Sequence, residues 1–169
     1  MTIKDPQAEA VRLRRKLSPG VLPVPVEAIA KQSGIRVESI SLDDELSGMS
    51  FIKDGVAVIV VNSNHHINRR RFTIAHELGH HILHESYLRN NVHVDKVVLH
   101  RDSLSSDGID EKEVQANKFA AELLMPSIDL MKINNVDIND DAEVQVLAKR
   151  LKVSAAALAY RLTNIGKAK

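Results

Sequence analysis

The sequence predicts an α+β domain, and three observations predict it. Residues 35–61 carry strand patterning: IRVESISL alternates apolar and polar positions, and VAVIVV is a short β-branched run. The chain that follows carries helical spacing, first in Phe72, Ile74, Ala75, Leu78, Ile82 and Leu83, then in EKEVQANKFAAELL and in two short segments near the C-terminus. The composition, 44% hydrophobic and 27% charged over 169 residues, is that of a chain with a packed core. A chain of this length buries roughly 70% of its unfolded surface.

Composition also excludes functions. There is no cysteine, so disulfides, iron–sulfur clusters, thiolate metal sites and cysteine nucleophiles are ruled out. A transition metal would have to be held by histidines and carboxylates. Three Phe, two Tyr and no Trp leave little for a platform that stacks single-stranded bases. No apolar run approaches the roughly 20 residues that span a bilayer. Residues 1–17 carry charges where a signal peptide has its apolar stretch, so the expected compartment is the cytoplasm.

The elements follow in order. After Pro6, the residues Ala10, Val11, Leu13 and Leu17 suit an amphipathic helix, stopped by Ser18-Pro19-Gly20. Pro23 and Pro25 favour an extended path, and Val26, Ile29 and Ala30 form one face of a short helix closed by Gly34. GMSFIK, Asp54-Gly55 and VAVIVV predict a hairpin with a two-residue turn. A long helix is expected from about Ile67 to Tyr87, and a partly mobile loop over 88–110, which holds His93, His100, Asp102, Ser103 and Asp110. A helix follows from Glu111 to Leu124, then Pro126, a polar link over 132–141, and two short helices from Glu143 onward. The expected organisation is an N-terminal helix (1–20), a central domain (21–131) and a C-terminal helical subdomain (132–169).

The chemistry sits in His76-Glu77-Leu78-Gly79-His80, an HExxH pattern on the long predicted helix. Residues four apart share a helical face, so His76 and His80 can grip one ion. Glu77 lies beside them, placed to take a proton from a water that zinc would acidify to a pKa of about 7. A catalytic zinc site needs a third protein ligand. The design that returns a third histidine after a glycine is not met, because Leu83 and Ser86 hold those places. His84 shares the face but stands about 12 Å along the helix from His76, so capping or support of a ligand is its expected role. His81 points elsewhere and is expected to pack or face solvent.

The helix over 111–124 offers the other design. Glu113 and Asn117 are one turn apart among Ala116, Ala120 and Ala121, small residues that let two helices approach closely. Glu113 is the expected third ligand, with Asn117 placed to hydrogen-bond a ligand histidine. Glu111, Asp110, Glu122 and a loop histidine remain alternatives. For the oxyanion of a tetrahedral intermediate the candidates are Tyr87, His93 and His100.

RRFTIAHELGHHILH (Arg70–His84) followed by EVQANKFAAELLMP (Glu113–Pro126) resembles the ImmA/IrrE-type metallopeptidases of bacteria and phages, over about residues 20–165. The resemblance implies a zincin-like core, a small antiparallel or mixed sheet packed on the HExxH helix. It implies zinc held by His76, His80 and Glu113, with Glu77 as general base; neutral imidazole and carboxylate ligands also admit manganese. It also implies a protein substrate: such enzymes are associated with cleaving helix-turn-helix repressors of mobile elements or stress genes.

A second reading competes. Residues 144–169 hold six Lys or Arg and no acid, and LAKRLKVSAAALAYRL resembles a helix-turn-helix. A metal-responsive DNA-binding regulator, or a metal-binding interaction protein without activity, are the alternatives. The presumed recognition helix opens SAAALA, which offers little to read base edges, so structural packing or partner docking is the expected use. A strand edge at the cleft would let a substrate add to the sheet.

Overall fold

Val56–Asn62 lies second in a four-stranded mixed sheet in the computed structural model, which describes residues 4–96, 110–133 and 136–167. The strands are β1 (Ile35–Ile40), β2 (Leu46–Lys53), β3 (Val56–Asn62) and β4 (His93–Lys96), in the order β1-β3-β2-β4. β1 runs parallel to β3, while β2 is antiparallel to both β3 and β4. The β2–β3 hairpin turns at Asp54-Gly55, where φ is 51° and 78°. Two consecutive positive values match the turn whose twist suits antiparallel strands.

Eight helices are described: α1 (Pro6–Leu17), α2 (Val26–Gln32), α3 (Ile67–Leu83), α4 (Glu85–Leu88), α5 (Glu111–Leu124), α6 (Ser127–Lys132), α7 (Asp141–Leu151) and α8 (Ala155–Lys167). α3 occupies the centre. It packs on β2 and β3 on one side and on α5 on the other, and α1 lies against α5. Residues 73–81 of α3 are consecutively buried, polar ones included. A helix enclosed all round is expected to be apolar all round; this one instead carries Thr73, His76, Glu77, His80 and His81 inside.

Two glycines allow the enclosure. A Cβ on Gly79 would stand 3.1 Å from the Phe119 ring and 3.2 Å from the Ala116 Cα, so α3 and α5 touch almost backbone to backbone. A Cβ on Gly48 would stand 2.5 Å from the Val60 carbonyl oxygen and 2.7 Å from the Thr73 methyl. Gly48 also lies at the irregularity in the β2–β4 pairing. His81 adds a polar pin, its Nε2 3.1 Å from the Val58 carbonyl.

The apolar side chains of α7 and α8 join the same core. Val144, Leu147, Leu151, Val153 and Leu158 are buried in one cluster with Ile59, Leu78 and Phe119. Arg161 of α8 reaches back to the buried Glu122 of α5 and to the Met125 carbonyl, at 3.1 Å. Asn68 and Arg71 of α3 bond the carbonyls of Val153 and Lys152. No helix among the described residues is long and apolar enough to cross a membrane.

Two expectations are corrected. The long helix ends at Leu83 rather than near Tyr87: His84 leaves helical geometry (φ −125°, ψ 32°) and a separate turn, α4, follows. The apolar spacing continues to the buried Leu88 and so hides the break. The expected loop over 88–110 contains β4, with inverted patterning. His93 and Asp95 face inward and are half-buried, while Val92 and Val94 are exposed at 56% and 40%. Residues 97–109, including His100, Asp102 and Ser103, lie outside the described residues.

Candidate metal centre

The close approach at Gly79 sets α3 and α5 so that His76, His80 and Glu113 meet. His76 Nε2 and His80 Nε2 are 3.1 Å apart. Glu113 Oε2 lies 3.2 Å from His76 Nε2, and Glu113 Oε1 lies 3.1 Å from His80 Nε2. Ligand atoms about 2.0–2.2 Å from a tetrahedral ion stand about 3.3–3.6 Å from one another, and the spacings of the two nitrogens from each other and from the two Glu113 oxygens come close to that. His93 completes a group of four whose ligand atoms all lie within 4.8 Å of one another.

Each imidazole is held from behind. His76 Nδ1 donates to Asn117 Oδ1 at 2.9 Å, one turn along α5 from Glu113. His80 is fixed by a relay. The Gln115 amide donates to Glu111 Oε1 at 3.0 Å, which turns Gln115 Oε1 toward His84 Nε2 at 2.8 Å. His84 then presents a bare Nδ1 to the Nδ1–H of His80 at 3.2 Å. Both relays commit Nδ1 to a hydrogen bond and leave Nε2 facing the centre, the nitrogen a metal would take. The tautomers follow from the hydrogen-bond network.

The other candidates are engaged elsewhere. Asp110 caps α5 through the Lys112 amide at 3.0 Å. Glu111 ends the His84 relay, and Glu122 is paired with Arg161. Tyr87 stands on α4, its ring beneath the Lys112 ammonium at 5.1 Å.

Glu77 is fully buried, between the sheet and the histidines. Its Oε2 accepts from the Ser50 hydroxyl and, at 3.0 Å, from His93 Nδ1. Its Oε1 is buried with no hydrogen-bond partner in the protein. His93 Nε2 lies 2.7 Å from Glu113 Oε1, so one imidazole bridges the two carboxylates. The His93 and His80 rings overlap with centroids 3.9 Å apart and planes tilted by 30°. His76 and His80 are spaced at 4.8 Å.

The charges shift one another. Burial pushes the Glu113 carboxyl up, but bonds from His76, His80 and His93 outweigh it and hold the group well below the usual carboxylate range. Burial pushes His93 down, but its bonds to Glu113 and Glu77 raise it to about 10. His80 is lowered, chiefly by burial. Burial raises Asp95 to about 6, aided by the charges of Glu77 and Glu113 against the attraction of His76 and His93.

Sequence reasoning missed Ser50, Gln115 and Asp95; it placed His93 in a loop, as a candidate oxyanion donor, and missed the strand that carries it. The available signal for β4 was the alternation in NVHVDK, which reads as a strand with its apolar face turned to the core. The structure turns that face to solvent.

No curated protein is significantly similar to the chain. Among solved structures, a Mycobacterium tuberculosis transcriptional regulator superposes with a TM-score of 0.60 at 19% identity, over 94% of this chain. At that identity the likeness is one of fold, and the chain spans 46% of that chain's length. The family model of the IrrE N-terminal-like domain, peptidase M78, matches residues 30–163. With HExxH on its enclosed helix and Glu113 facing it from α5, the chain belongs to that peptidase family.

Proposed function

We propose that the chain is a zinc-dependent endopeptidase of zincin-like architecture that cuts a protein substrate at a specific site, the substrate being a helix-turn-helix repressor. The observation that carries the reading is the approach of His76 Nε2, His80 Nε2 and the Glu113 carboxylate to 3.1–3.2 Å, with the unpartnered Glu77 Oε1 buried beside them. Two neutral imidazoles and a carboxylate suit zinc and admit manganese. His93 fits less well as a further ligand. Two imidazoles on one tetrahedral ion have centroids about 5 Å apart, a spacing that His76 and His80 approach and the overlapping His80–His93 pair does not.

Bound there, zinc would supply a Lewis acid and an acidified water. The chain's residues do the rest. Asn117 and the Gln115–His84 relay keep the ligand imidazoles in the required tautomer. Glu77 takes the proton of the attacking water on Oε1 and passes it to the leaving amine. Of the candidate oxyanion donors among the described residues, His93 lies at the centre, and we assign the role to its Nε2–H, which here faces Glu113 Oε1, while Nδ1–H stays on Glu77. β4 is an edge strand beside the centre, so an extended substrate can pair along it and leave selectivity to side chains.

The substrate class rests on the family resemblance and on the regulator named above, a longer protein of similar fold. The exposed Lys149, Arg150 and Lys152 at the end of α7 give a basic surface for recruiting a partner. Arg161 does not add to it, because Glu122 neutralises it inside the core. Metal analysis of the protein and of Glu113→Ala, His80→Ala and Glu77→Gln tests the reading. The first two should lose metal, and Glu77→Gln should keep it while cleavage falls roughly 10²–10⁴-fold. Candidate repressors are offered and cuts mapped by mass spectrometry. Tight duplex-DNA binding without cleavage of any regulator would favour the DNA-binding alternative.

A further inference from the structure

Ser50 is fully buried in the middle of β2. It pairs with Ile59 on one side and with His93 on the other. Like Gly48 two residues earlier, whose missing Cβ would meet Thr73 of α3, it belongs to the strand face against α3. A small residue there lets α3 approach, and for that purpose alone alanine would serve. The serine hydroxyl does more: it donates to Glu77 Oε2, the oxygen that also accepts from His93 Nδ1. Cross-strand neighbours thus converge on one carboxylate oxygen. The other oxygen, Oε1, is buried with no partner.

The terminal torsion of a glutamate is broad and nearly two-fold, so sterics alone select its carboxylate plane poorly. Donors fixed on two adjacent strands select it well, because neither can follow if the carboxylate turns. We infer that Ser50 is a positioning residue: with His93 it clamps Glu77 by Oε2 and keeps Oε1 free for proton transfer. This rests on the reading of Glu77 as general base. The clamp itself is a statement about carboxylate orientation and can be checked separately.

The test uses the full-length, zinc-loaded protein, wild type and Ser50→Ala. High-resolution crystal structures should show one Glu77 carboxylate orientation in the wild type and a turned or split one in Ser50→Ala. Metal content and melting temperature should stay near wild type. On a cleaved repressor, kcat should fall roughly tenfold, the scale typical of removing a group that supports a metal site, with KM unchanged. Ser50→Thr keeps the hydroxyl and should retain the single orientation and most of kcat. An unchanged orientation and unchanged kcat in Ser50→Ala would overturn the inference and leave Ser50 as a packing residue. If the wild-type protein cleaves nothing, the peptidase reading fails, and the crystal comparison still decides the clamp: a shared, single orientation overturns it.

Discussion

Asp95 carries the clearest unfavourable charge near the centre. Its carboxyl is raised from 3.8 to about 6, chiefly by burial. A carboxyl with a raised folded-state pKa favours the fold fully below its unfolded value, and that contribution is lost as pH rises through the folded value. Near pH 8 without metal, ionised Asp95 is therefore a net cost, while near pH 4, close to the unfolded value, most of the cost is absent. Asp95→Asn should stabilise the metal-free protein by about 1–2 kcal/mol at pH 8, by about half as much at pH 5, and change it little at pH 4. Thermal melts in chelator at the three pH values check this. A bound cation reverses the sign of the local field, so the same variant should bind zinc more weakly.

Glycine positions govern how the elements approach. A Cβ on Gly48 would overlap the Val60 carbonyl and the Thr73 side chain, and one of these is backbone that cannot yield. Gly48→Ala should cost about 1–3 kcal/mol or more, measured by denaturant unfolding, because either β3 or α3 must shift. At this scale the sequence was legible where pattern and environment agree. The hairpin turns at Asp54-Gly55, and α5 spans Glu111–Leu124 as the spacing predicted. It was illegible where they disagree. β4 turns its polar residues inward because the interior there is a site, so its hydrophobic pattern points the wrong way. The end of α3 was missed because apolar spacing runs through the break to Leu88. The meeting of His76, His80 and Glu113 was legible because i, i+4 spacing on one helix and alanines around Glu113 on another carry the geometry in the chain. His93 and Ser50 were not, since strand register alone places them opposite each other.

Across the whole molecule, the Arg161–Glu122 pair ties the last helix to the helix that supplies Glu113. Both side chains are buried, at 7% and 3% exposure. Removing one partner of such a pair leaves a charge without compensation, at a cost of about 3–5 kcal/mol. Arg161→Met should therefore destabilise strongly in thermal melts, and Glu122→Leu with Arg161→Met should recover only part of the loss, because Glu122 Oε1 also accepts from the Ser127 amide at 3.0 Å. Deleting residues 144–169 would also strip Leu147, Leu151 and Leu158 from the core cluster, so charge reversal at Lys149 and Arg150 is the cleaner probe of recruitment. The enclosure of residues 73–81 has a last consequence, for measurement. Amides in a helix covered by sheet, helix and terminal elements exchange with solvent only when the entire fold opens. Their deuterium uptake should be the slowest in the chain and should slow further, in proportion to 1 + [Zn²⁺]/Kd, as the ion is titrated in. Mass-resolved exchange of that one segment would then read metal affinity directly, with no substrate in hand.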